Sequence, residues 1–153
     1  MDGVKRSDAS IDIAKKKKLP GTPTGNAGEY FVMGELLRRG FDAQLADRNT
    51  KGYDVLVGRA EEKSLQKVQI KSVRSPPWYV RSKDFDANAA VQVTIYVLIG
   101  PPDGNKPIRF FITQNRDLAT SVHRPPKWKD HGFMDLKAIE QYEGQWETLR
   151  SRP

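Results

Sequence analysis

The chain has 153 residues, no cysteine and a formal net charge of +7. Its length suits one domain with its own core, and the lack of cysteine excludes disulfides, thiolate zinc sites and cysteine nucleophiles. The basic balance favours polyanions, nucleic acid first, over acidic partners.

Residues 1–25 read as a disordered basic tail or linker. Lys15 to Lys18 form a charge block, and residues 19–25, Leu-Pro-Gly-Thr-Pro-Thr-Gly, carry no periodicity. The tail is expected to solubilise the protein or to serve as a nucleic-acid-contacting arm. Its start is charged and has no apolar h-region, so no secretory signal is expected. The longest apolar run, Val93 to Ile99, is interrupted by Thr94 and is too short to span a bilayer. Without cysteine, and without these signals, the expectation is a soluble, cytoplasmic protein with no membrane partner.

A helix is predicted from Asn26 to Arg39, capped by Asn26 and ended by Gly40. At about 100° per residue, Tyr30, Val32, Met33, Leu36 and Leu37 fall on one stripe, with Glu29 in its middle. Glu35, Arg38 and Arg39 face away, with Phe31 as the apolar exception. Glu29 has a simpler reading as a first-turn acid facing the helix dipole. Its place on the apolar stripe argues for function, because an unpaired buried carboxylate is costly.

Strands are predicted over Phe41 to Asp47, Tyr53 to Val57, Lys67 to Arg74, Val91 to Ile99 and Ile108 to Thr113. A turn over 48–52 and a polar loop over 58–66 separate the first three. The apolar run of the fourth suggests an interior position. Residues 75–81, Ser-Pro-Pro-Trp-Tyr-Val-Arg, read as irregular or extended. Asn115 to Val122 reads as a short helix capped by Asn115, and His123 to Gly132 as a basic, proline-bearing loop. A last helix is expected to start in Met134 to Ile139, with Tyr142, Trp146 and Leu149 closing the core edge. No internal repeat and no glycine-rich phosphate loop is present. The fold class is α/β: a mixed central sheet of about five strands flanked by helices, over residues 26–153.

Side chains alternate along a strand, so Gln69 and Lys71 share a face, with Val68, Ile70 and Ser72 on the other. If the second and third strands pair through the loop between them, Asp54 comes close to Gln69 and Lys71. Glu29 would approach from the helix packed on the sheet. Such a set suits phosphodiester hydrolysis. Mg²⁺ takes one or two carboxylates plus waters and phosphate oxygens, and a neighbouring lysine can orient or deprotonate water and balance developing charge. The simpler readings are a turn aspartate and an ordinary edge lysine.

Glu29 on the first helix, Asp54 on the second strand and Gln69-Ile70-Lys71 on the third resemble the PD-(D/E)XK nuclease superfamily. Residues 25–41 also resemble the first helix of small bacterial restriction-endonuclease-like and Holliday-junction-resolvase-like members. The resemblance covers about residues 25–100. It implies a restriction-endonuclease-like fold and a Mg²⁺- or Mn²⁺-dependent nuclease acting on nucleic acid, DNA foremost. By position, Glu29 and Asp54 would bind metal, completed by the Gln69 side chain and the Ile70 backbone carbonyl. Lys71 would be the catalytic lysine. A homodimer is a further family expectation. Tyr53 stands where proline is common, and Gln69 where an acid is usual. The glutamine is neutral, which implies weaker metal affinity.

Two groups are candidates for nucleic-acid contact. Trp78, Tyr79 and Arg81, with Arg74 and Lys83, mix rings and cations as a base-stacking surface would. Arg124, Lys127 and Lys129, around Trp128, could track a phosphate backbone. Core packing and a solvated loop are the competing readings. His123 and His131 have no zinc-ligand spacing and are read as structural or surface residues. Two rivals to a nuclease stand: a non-catalytic nucleic-acid-binding module on the same fold, and an interaction subunit of a restriction or repair system.

Overall fold

The computed structural model describes residues 23–47, 52–58 and 65–149. The predicted tail lies outside them up to residue 22, as do most of the predicted turn 48–52 and loop 58–66.

Helix α1 spans Pro23–Arg38. It starts before the expected cap, so residues 23–25 are helical and Asn26 lies inside the helix. Proline suits a helix start, where its missing N–H has no intrahelical role. At the other end Gly40 takes φ 85°. Its N–H donates to Leu37 O (3.1 Å), and Phe41 N–H donates to Leu36 O (3.0 Å). These two bonds form a Schellman close, and Phe41 and Leu36 enter the same core cluster.

The buried row of α1 is Gly28, Val32 and Leu36, narrower than the predicted stripe. Tyr30 (62 %), Leu37 (55 %) and Phe31 (45 %) are exposed. The cause is Gly28, which lies against β3. A Cβ there would sit 1.6 Å from Ser72 Oγ. This close approach sets which row of the helix meets the sheet.

Strands β1 (Asp42–Leu45), β2 (Val55–Gly58) and β3 (Gln66–Val73) form an antiparallel meander. Strand β5 (Val93–Leu98) lies parallel to β3, and β6 (Arg109–Gln114) antiparallel to β5. The sheet order is β1-β2-β3-β5-β6. This is a mixed five-stranded α/β sheet, as the sequence predicts. β5 is interior, as its apolar run predicts.

One face packs on α1 through Val68, Ile70, Val55, Ile95 and Ile112, and Trp146 and Leu149 close the edge. The other face is covered by a feature absent from the sequence reading. Strands β4 (Trp78–Arg81) and β7 (His131–Met134) pair antiparallel as a separate ribbon. Its inner residues Trp78, Val80 and Met134 join Tyr96, Phe111, Leu118 and Ile139 in a second core. The predicted irregular segment and basic loop are therefore partly strand.

Asn115 opens a 3₁₀ turn (Asn115–Leu118) without capping it. The last α-helical turn is Leu136–Ile139, capped by Asp135, which accepts from Ala138 N–H (3.0 Å), and 3₁₀ turns Glu140–Tyr142 and Trp146–Leu149 follow it. Met134 belongs to β7. Beyond it the chain returns to β6: Gly144 N–H donates to Phe110 O (2.9 Å), and Glu143 bridges Phe111. Arg109 grips the Glu143 carboxylate with two bonds of 2.8 and 2.9 Å. Among the described residues no helix is long and apolar enough to cross a membrane.

Candidate active site

Asp54 sits one residue before β2 and is fixed on both sides. Its N–H donates to Val68 O (3.0 Å), and its carbonyl accepts from Ala46 N–H (2.9 Å). The β2–β3 register continues to place it opposite Gln69. Asp54 Oδ2 accepts from Gln69 Nε2 and from Ile70 N–H, both at 2.8 Å. Burial raises the Asp54 pKa, against the Ile70 N–H bond and the Lys71 charge, which lower it.

The meeting of Asp54 and Gln69 is as expected from strand alternation. The role of Ile70 differs: its contact with Asp54 is made by the N–H, where the resemblance implies a backbone carbonyl ligand. Gln69 points its amide N–H₂ at the carboxylate, as an acceptor requires.

Lys71 shares the Gln69 face, and its partner comes from elsewhere. Lys71 Nζ lies 4.0 Å from Asp84 Oδ2. Burial lowers the Lys71 pKa; the charges of Asp84 and Asp54 oppose this, and Arg81 adds to it. Asp84 also meets Arg81 Nη2 at 3.4 Å. Its Oδ2 is buried with no hydrogen bond, so the lysine charge is what compensates it.

Asp84 was not a sequence candidate. It lies on the 3₁₀ turn Ser82–Phe85, and no periodicity marks it. The turn is held from behind by buried Asn115. Asn115 Nδ2 donates to Asp84 O (2.9 Å) and Val91 O (3.2 Å), and Asn115 Oδ1 accepts from Thr94 Oγ1 (2.7 Å). This clamp presents Asp84 to Lys71.

Glu29 is half-buried, one residue past Gly28 on α1. Gly28 packs on the Ser72 face of β3, opposite the face of Gln69 and Lys71. Ser72 lies under the helix, away from the cluster, as strand alternation predicts.

A cavity of about 220 Å³ opens from the cluster at Gln69; its wall also holds Asp84, Thr94 and three cations, Lys67, Arg81 and Lys83, and does not include Asp54 or Lys71. Its chemistry suits a phosphate chain. The nucleic-acid candidates divide accordingly. Arg81 and Lys83 line the cavity. Trp78 is fully buried, edge-on to Tyr96 and Phe111, with its Nε1–H donating to Val97 O (3.3 Å). It is a core residue and cannot stack on a base. Arg74 lies beyond the far end of β3, donating to Gly100 O (3.2 Å), and lines a different groove with Pro101 and Arg109. Tyr79, Arg124, Lys127 and Lys129 are exposed. His123 stacks on Phe133 (4.8 Å) and meets Asp135 (3.1 Å). His131 is at the start of β7.

Asp54 and, if its amide turns, Gln69 could hold an ion between them; the third ligand expected from the sequence, Glu29, is carried by α1. Among the described residues no three His, Cys, Asp or Glu side chains gather to hold a metal. The set fits a magnesium ion that keeps several waters, and not an all-protein cage.

No family model and no curated protein matches the chain. Among solved structures it is similar to Hjc from Archaeoglobus fulgidus, a Holliday junction resolvase from an archaeal hyperthermophile. Identity is 16 %, over 76 % of this chain and 88 % of that chain, with a TM-score of 0.49. What this chain does must come from its own side chains.

Proposed function

We propose that the protein is a metal-dependent nuclease that hydrolyses phosphodiester bonds in nucleic acid, DNA foremost. The observation that carries this reading is the Asp54–Gln69–Ile70 hydrogen-bonded cluster, with Lys71 next on the same strand face and a basic cavity in front of Gln69.

In this reading Asp54 holds Mg²⁺ or Mn²⁺, with Gln69 turning its oxygen toward the ion and Glu29 contributing from α1. The ion, when bound, polarises the phosphate and lowers the pKa of a water. Lys71 orients that water and offsets charge on the phosphate in the transition state. Arg81 and Lys83, with Lys67, bind flanking phosphates and set the polymer's register. Arg124, Lys127 and Lys129 extend that basic path.

The test is cleavage of linear duplex, single-stranded and four-way-junction DNA with Mg²⁺, Mn²⁺ or EDTA, comparing wild type with Asp54→Ala. Metal-dependent cutting that Asp54→Ala loses supports the reading. One observation favours a second reading, a binding module without chemistry: neutral Gln69 leaves Asp54 as the single carboxylate hydrogen-bonded in the cluster. That reading predicts salt-sensitive binding in EDTA and no cutting.

A further inference from the structure

We infer that the outer face of the β4–β7 ribbon is a stacking surface for unpaired bases, so that this ribbon selects a single-stranded segment and leads it to the cavity. The inference rests on the nucleic-acid reading above and adds the state of the strand.

The register of the ribbon pairs Tyr79 with Phe133 and Arg81 with His131. Trp78, Val80, Gly132 and Met134 point inward and are buried, so these four face outward together. Tyr79 is 65 % exposed and Trp128 38 %. The rings form one tract: Tyr79 to Trp128 at 6.1 Å, Trp128 to Phe133 at 5.5 Å, and Phe133 to His123, stacked, at 4.8 Å. Three separate chain segments bring these rings together at the surface. A backbone bridge between His123 and Phe133 ties the loop to the ribbon, yet the Tyr79 ring stays mostly in solvent, as a packing residue's would not.

Charge specifies the occupant. Exposed Arg124, Lys127 and Lys129 flank His123 and Trp128 along the chain, and Arg124 lies over Phe85, 6.0 Å from the ring centre. Of the nearby acids, Asp84 is paired with Arg81 and Asp135 is hydrogen-bonded to His123, leaving Asp130 against the three cations Arg124, Lys127 and Lys129. A polyanion with flat apolar faces satisfies both features, as single-stranded nucleic acid does. A duplex offers the phosphates and hides its base faces inside the stack.

The surface also continues into the cleft. Arg81 and Lys83 line the cavity in front of Gln69, and with Asp130 and His131 they line a second cavity of about 270 Å³. Tyr79, Arg81 and Lys83 thus form one path from ring tract to cleft.

The experiment measures binding of a fluorescently labelled oligothymidylate, and of a duplex of equal length, by anisotropy in EDTA at fixed salt. The proteins are full-length wild type, Tyr79→Ala, Trp128→Ala and Trp128→Phe, each checked for an unchanged melting temperature. Each alanine variant should weaken single-strand binding about 5- to 100-fold, with duplex binding changed less than about twofold and Trp128→Phe close to wild type. Equal losses on both DNAs, or no loss on the single strand, would overturn the inference. So would a dimer of wild type that Tyr79→Ala converts to monomer in sedimentation, which would make this face a self-association surface. Metal-dependent duplex cleavage with no ring effect removes this inference alone. Wild type that binds neither DNA nor cuts removes the nuclease reading with it.

Discussion

Lys71 Nζ and Asp84 Oδ2 lie 4.0 Å apart, each largely out of solvent and each carried by a different element. Asp84 also pairs with Arg81 through its other oxygen, at 3.4 Å, and Lys71 also feels the charge of Asp54. Asp84 holds the lysine's pKa up against burial. Asp84→Asn therefore should move the Lys71 pKa further below the ordinary lysine value. Titration of the Lys71 Cε resonance by NMR reads this directly. The sign for stability follows from the depressed folded-state value: the Lys71 contribution is present above about 10.5, the unfolded value, and is lost as pH falls through the folded value. Lys71→Ala should reduce cleavage on the order of 10²- to 10⁴-fold and keep the fold; retained cleavage would remove Lys71 from the proposed chemistry.

Asp54→Asn separates chemistry from stability. Asparagine can still accept from Ile70 N–H, and the buried charge is gone. Burial raises the Asp54 pKa, so its contribution to stability is present below 3.8 and is lost as pH rises through the folded value. At neutral pH the ionised carboxylate weighs against the fold. The expected result is a melting temperature at pH 7 equal to or above wild type, with the difference closing toward pH 3, and loss of metal-dependent cleavage. A lower melting temperature at pH 7 would show that Asp54 is a structural anchor.

Gln69→Glu replaces a donor 2.8 Å from Asp54 Oδ2 with a second carboxylate. In EDTA the two acids repel and the hydrogen bond is lost, so the variant should be less stable by about 1–3 kcal/mol. Mg²⁺ should restore more stability to the variant than it adds to wild type, since a ligand that binds only the folded state raises its melting temperature. Equal responses to Mg²⁺ would argue that no ion binds between these residues.

Gly28→Ala tests how α1 is seated. Its Cβ would fall 1.6 Å from Ser72 Oγ and 2.6 Å from Ser72 Cβ, so the helix must shift off β3. A loss of about 1–3 kcal/mol is expected in denaturant unfolding. Ser72→Ala alone should not destabilise, because Ser72 Oγ is buried with no hydrogen bond. Gly28→Ala combined with Ser72→Gly should recover most of the loss.

The meander and the site strand were legible because their signals are local. Alternation in residues 67–73 puts Gln69 and Lys71 on one face, and the antiparallel β2–β3 register sets Asp54 opposite Gln69. The helix was legible at its C-terminal end, began three residues earlier than its expected cap, and was misread in orientation. Tyr30 and Leu37 are apolar but exposed, while the packing row begins at Gly28, which has no side chain to count. The β4–β7 ribbon was hidden because each strand has four residues and pairs with a partner far along the chain. Trp78 next to Arg81 resembles a nucleic-acid patch in one dimension; only the ribbon's alternation shows that one faces the core and the other the cleft. Asp84 was hidden for the same reason, since its relation to Lys71 exists only after β4 has docked.

The segment that returns to β6 through Glu143 and Gly144 also has a bearing on solubility. A terminal strand with open N–H and C=O groups invites pairing with a neighbouring molecule. Here Gly144 and Glu143 occupy part of that border of β6, and the Arg109–Glu143 fork locks them in place. The C-terminal residues thus act as a guard against edge-to-edge aggregation. A fragment ending at Ile139 would keep the proposed catalytic strands and lose this guard, becoming prone to self-association.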